Sequence, residues 1–125
     1  MNRTVKIVLV MLVFSASPSV ADEYPRINII DFVVDWKMYI GKYVIVTGGT
    51  MNFVDQTSGT LFAPGASVVV MGPYQNKEHL RYLLKNCSGV GAPGLCGMEV
   101  FGEVSAKTVA TFPTLKNPQI PEMPQ

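Results

Sequence analysis

The side chains best equipped for chemistry are few: one histidine, His79, two cysteines, and a pair of glutamates, Glu99 and Glu103, on one short stretch. His79 follows Glu78 in what reads as a helix. Adjacent helical positions do not face each other, so the two cannot act as a base and its orienting carboxylate. No serine elbow or similar nucleophile motif accompanies them. Glu99 and Glu103 share one face of a strand, but strand rise separates them by roughly 13 Å, beyond the about 5–10 Å of a glycosidase pair. Gly89-Val90-Gly91 and Gly94 resemble a phosphate cradle only loosely, because a strand rather than a helix follows. The expectation is a protein that is not an enzyme and carries no cofactor.

Cys87 and Cys96 enclose Ser88 to Leu95, a run of small, turn-forming residues. A metal site would need further ligands, and one histidine with two cysteines does not complete a tetrahedron. A redox dithiol has two residues between its cysteines, not eight. A disulfide Cys87–Cys96 is expected, contributing on the order of 2–3 kcal/mol through its short loop.

Binding rather than catalysis therefore directs attention to Lys42, Tyr43, Phe53, Phe62, Tyr74 and Phe101. Exposed and adjacent, these aromatic residues would stack on a base or a sugar. Each is equally an ordinary core residue. The partner classes that follow are a small ligand, an oligosaccharide or an envelope protein.

The first residues state where the protein works. Arg3 and Lys6 form a positive head, Ile7 to Phe14 a short apolar run, and Ser19-Val20-Ala21 a small-residue cleavage site, so 1–21 reads as a signal peptide removed before Asp22. The apolar run falls short of the ~20 residues that span a bilayer, and no membrane span remains after cleavage. No cysteine stands at the cleavage point to carry a lipid. The expected location is periplasmic or secreted. Of 10 Lys+Arg and 9 Asp+Glu, cleavage removes Arg3 and Lys6, leaving 8 against 9. Near-neutral charge with no basic run argues against nucleic acid, whose phosphates need several cations acting together.

The elements that would position these residues are short strands. Residues 22–34 read as an extended N-terminal segment. Asp35 is a candidate N-cap for a helical turn over Trp36 to Ile40, closed by Gly41. Lys42 to Gly48 alternates two apolar faces, as a strand covered on both sides does. Gly48-Gly49 predicts a bulge before Thr50 to Val54. Asp55 to Gly59 is a turn cluster leading to a return strand over Thr60 to Ala63, and Ser67 to Met71 is a further strand ended by Gly72-Pro73. Asn76 caps one helix whose Leu80, Leu83, Leu84 and Cys87 share a face. Met98, Val100, Gly102 and Val104 form the inward side of the next strand, and Thr108 to Phe112 reads as the last one. The proline-dense 113–125 reads as an extended tail. The sole tryptophan, Trp36, is expected to pack on the core.

Tyr39, Gly41-Lys42, Val44, Val46, Gly48, Arg81, Cys87, Cys96 and Gly102 together resemble small exported bacterial proteins of OB-fold-like type, with a tyrosine ahead of a GK pair and cysteines flanking the loop after the helix. The resemblance covers roughly Asp35 to Phe112. It implies a mainly β fold: a partly open five-stranded barrel with one α-helix and a short N-terminal helical turn, whose face binds oligonucleotides or oligosaccharides in many members. The barrel domain is thus expected over 35–112. Function is expected to be that of a binding or interaction module. The alternative is a structural part of an envelope assembly that makes contact through an edge strand or the proline-rich tail.

Overall fold

The computed structural model describes residues 24–123, so the signal peptide read over 1–21 lies outside the described residues. In chain order the elements are β1 (Arg26–Asn28), α1 (Ile29–Asp35), a 3-10 turn (Trp36–Tyr39), β2 (Tyr43–Asn52), β3 (Ser58–Ala63), β4 (Ala66–Met71), α2 (Lys77–Asn86), the one-turn α3 (Pro93–Cys96), β5 (Gly97–Val104) and β6 (Thr114–Gln119). The strands form one sheet in the order β1-β2-β3-β4-β6-β5. A further pairing of β2 with β5 closes β2 to β6 into a barrel, with β1 as an outer addition. The pairs β1–β2 and β4–β6 are parallel and the others antiparallel. This is the mainly β, OB-like architecture that the sequence implies, with a closed rather than partly open barrel.

Closure depends on a kink in β2. Its pairing with β5 shifts register between Val46 and Gly49. On its other edge β2 gives Ile45–Thr47 to β1 and Thr50–Asn52 to β3. Gly48 sits at φ +82°, a left-handed conformation that costs glycine nothing, and a Cβ on Gly49 would lie 2.6 Å from the Leu61 side chain. One bent strand therefore serves three neighbours.

Alternation fills the barrel. Val44, Val46 and Met51 from β2, Leu61 from β3, Val68 and Val70 from β4, Val100 from β5 and Leu115 from β6 are fully buried. Each such side chain stabilises the fold by about 1.5–3 kcal/mol through removal from water. From α1, Ile29 and Phe32 enter this core, and from α2, Leu83 does so while Leu80 and Leu84 pack at its margin. Asn76 caps α2 as expected, its side chain accepting from the amides of Glu78 and His79. Trp36 and Tyr39 pack against the core.

Expectations at both ends of the domain are corrected. Residues 22–34 are not simply extended, because a helix already begins at Ile29 with Asn28 as its cap, the Asn28 side chain accepting from the Ile30 amide at 2.9 Å. Asp35 ends that helix and makes no capping bond to the 3-10 turn that follows. Gly41, at φ +80°, does close the turn. The larger correction is at the other end. Thr108 to Phe112 is a loop with a single bridge, Val109 to Phe112, in which Ala110 and Thr111 take positive φ. The last strand is Thr114–Gln119, inside the supposed tail, so the barrel extends past residue 112. Pro113 precedes β6, and Pro118 falls at its bulge, where pairing with β5 shifts between Phe101 and Glu103. These are the places where a missing amide donor is tolerated in a sheet. Asn117, at φ +52°, makes the local bend.

Candidate functional site

Cys87 and Cys96 are joined in a disulfide with Cα atoms 5.9 Å apart, and both are fully buried. The loop they close lies along the end of β2. The Phe53 amide donates to the Gly89 carbonyl at 2.8 Å, and the Val54 amide to the Cys87 carbonyl at 2.9 Å. The Gly91 amide donates to Asn52 Oδ1 at 2.6 Å. Gly91 passes so close that a Cβ there would sit 2.1 Å from the Met51 carbonyl oxygen. On the far side of the loop, Tyr82 Oη donates to the Leu95 carbonyl at 2.7 Å and ties the loop to α2.

Between this strapped loop and the β2–β3 wall runs an open groove of about 290 Å³. Its lining includes Thr50, Asn52, Phe62, Pro64, Val90 and Pro93, and no charged residue among the described residues. Phe62 is 43 % exposed and Val90 81 %, whereas Asn52 is only 7 % exposed. The bond from Gly91 fixes the Asn52 amide, because an N–H donor must face the oxygen and not the NH2 group. Asn52 Nδ2 donates to no acceptor among the described residues. It is also not among the fully buried atoms left unpaired, so it is not sealed from solvent, and Asn52 lines the groove.

The six predicted binding residues are not one platform. Tyr43 and Phe101 stack, with ring centroids 5.4 Å apart and planes 13° from parallel, on the outer side of β2 and β5. Tyr24 covers Phe101 with its centroid at 5.0 Å, leaving Phe101 6 % exposed. That cluster fastens the N-terminal segment to the barrel; exposed Lys42 lies beside Tyr43 in the chain. Tyr74 packs against the core, and its hydroxyl is buried without a partner among the described residues. Burial first, and the charge of Asp55 second, raise its pKa above the ordinary tyrosine value. Phe53 is exposed at φ +52°, just past β2. Only Phe62 of the six lines the groove.

Thr50, Asn52 and Val90 were not legible as site residues. A polar residue at a strand end and a valine in a glycine-rich loop carry no sequence signal until the loop is seen folded onto the strand. Glu99 and Glu103 are each engaged separately, Glu99 with Arg26 and Glu103 at 4.0 Å from Lys116, so they form no carboxylate pair. A second hollow of about 330 Å³ lies between the ends of β4 and β6 and the 105–113 loop, with Lys107 and Lys116 at its wall. It offers no exposed ring. The chain matches no family model, no curated protein and no solved structure.

Proposed function

We propose that the protein is an exported binding module, without enzymatic activity, whose ligand lies in the groove between the β2–β3 wall and the disulfide loop. One observation carries this reading: an exposed aromatic residue and a fixed amide donor with no partner among the described residues both line one concave, uncharged surface. Small-molecule sites have this make-up, a largely apolar lining with a few placed polar groups. Export is supported by the leader-like first residues and by the buried disulfide, a bond that persists in oxidising compartments. No helix among the described residues is long and apolar enough to cross a membrane. The structural alternative, contact through the proline-rich tail, is weakened because Thr114–Gln119 is already spent on the barrel.

The test is an NMR titration of the exported protein with a library of small fragments, charged and uncharged. Uncharged fragments are expected to shift the amides of Thr50, Phe62 and Gly91 ahead of all others. Fragments that gather only elsewhere on the barrel overturn the reading. Sequencing of the purified periplasmic protein should begin at Asp22, and its thiols should resist alkylation until reduced.

A further inference from the structure

We infer that the groove takes an uncharged pyranose, one face of the sugar ring lying on Phe62 and a ring oxygen or hydroxyl accepting from Asn52 Nδ2. This rests on the binding reading above and names its ligand class. Charge narrows the choice first. With no ionisable lining residue, a phosphate or carboxylate entering the groove would lose hydration with no cation to replace it. The polar groups narrow it further. The Asn52 amide is held by the Gly91 bond, so the orientation of its NH2 group, which has no acceptor among the described residues, is set before any ligand arrives. A purely hydrocarbon ligand would cover that donor and leave it unpaired, at a cost that apolar contact with Phe62 would have to overcome.

A pyranose meets both demands. Its C–H face is slightly positive and suits the negative face of an aromatic ring, while its edge carries oxygens that accept. The Thr50 hydroxyl, in the same groove, can donate or accept and so suits a second sugar hydroxyl. A space of about 290 Å³ stands at the lower limit of ligand sites, about 300–1,000 Å³, and admits one ring rather than an extended chain.

The experiment titrates the intact exported protein with methyl glycosides of glucose, galactose, mannose and N-acetylglucosamine, with glucuronate and a blocked Val-Leu dipeptide alongside. At least one neutral glycoside should shift the Asn52 side-chain amide together with Phe62 and Gly91, and glucuronate should not. Asn52→Asp keeps an oxygen for the Gly91 amide but removes the donor, and should weaken that binding by roughly five- to tenfold. Phe62→Ala should weaken it about tenfold. Thr50→Val keeps the shape of the strand residue and should cost about threefold. Urea midpoints on the same samples separate loss of binding from loss of fold. Groove shifts produced by the dipeptide or glucuronate, with none from a glycoside, overturn the sugar and leave the binding module standing. No groove shift from any of the probes or from the fragment library overturns both. Equal sugar binding by wild type and Asn52→Asp removes the assigned role of the amide.

Discussion

Replacement of Gly91 by alanine isolates the contact on which the groove depends. The added methyl would lie 2.1 Å from the Met51 carbonyl oxygen, 2.7 Å from Cys96 Cβ and 3.0 Å from Asn52 Oδ1. Two of these three neighbours are fixed, one in the β2 backbone and one in the disulfide, so the loop must lift. Lifting breaks the Gly91 to Asn52 bond, worth about 1 kcal/mol net, and strands a buried amide oxygen at about 1–3 kcal/mol more. The expected destabilisation is about 2–4 kcal/mol, a fall in Tm on the order of 10–30 °C for a domain of this size. Urea and thermal unfolding with the disulfide intact measure it. Gly89→Ala and Gly94→Ala are the controls, since a Cβ at either position meets nothing within 4 Å. Both should stay within about 0.5 kcal/mol of wild type. If Gly91→Ala unfolds alongside those controls, the loop is not strapped to β2 as described, and the groove loses one wall.

Three other perturbations reach separate parts of the molecule. Asp55 accepts from the amides of Thr57 and, secondarily, Ser58, which lower its pKa below 3.8. Its contribution should therefore be fully present above pH about 4 and fade as pH falls through the lower folded value, so the urea midpoint of wild type should lose ground to Asp55→Asn only on the acid side. A difference that is flat from pH 2 to 7, or that widens in acid, contradicts this. Tyr74→Phe removes a buried hydroxyl with no partner among the described residues and should raise stability by about 1 kcal/mol in thermal melts; a loss of stability would mean the hydroxyl is bonded. Leu115→Ala should cost about 2–5 kcal/mol, because it empties a fully buried β6 position, and near-wild-type unfolding would return the segment to the status of a tail.

Most of the barrel was written in local patterns: the two-sided strand kinked at Gly48-Gly49, the turn at Asp55, the Asn76-capped helix with its leucine face, and the cysteine pair. Each is a short-range statement about spacing or capping, and each holds in the structure. The misread segments have a common cause. At Ile29–Asp35 an apolar run interrupted only by Asp31 fits helix and strand equally, and Asn28 as a cap decides it. At Thr114–Gln119 proline density masked a strand whose Thr114, Leu115 and Pro118 are buried once β4 and β5 flank it, a pattern with no clean alternation to announce it. The groove was the least legible part. Phe62 was named for its ring alone, whereas Asn52 acquires significance only from a loop 39 residues away in sequence.

The position of β6 in the chain sets an order of events. It is the last of the six strands, and it alone joins β4 to β5. A polypeptide emerging N-terminus first, from a ribosome or through a membrane pore, will have presented every other barrel strand before the seam can be sewn. Until residues 114–119 arrive, the apolar sides of β4 and β5 have no shared neighbour. The seam between β4 and β5 therefore cannot form before that segment is present.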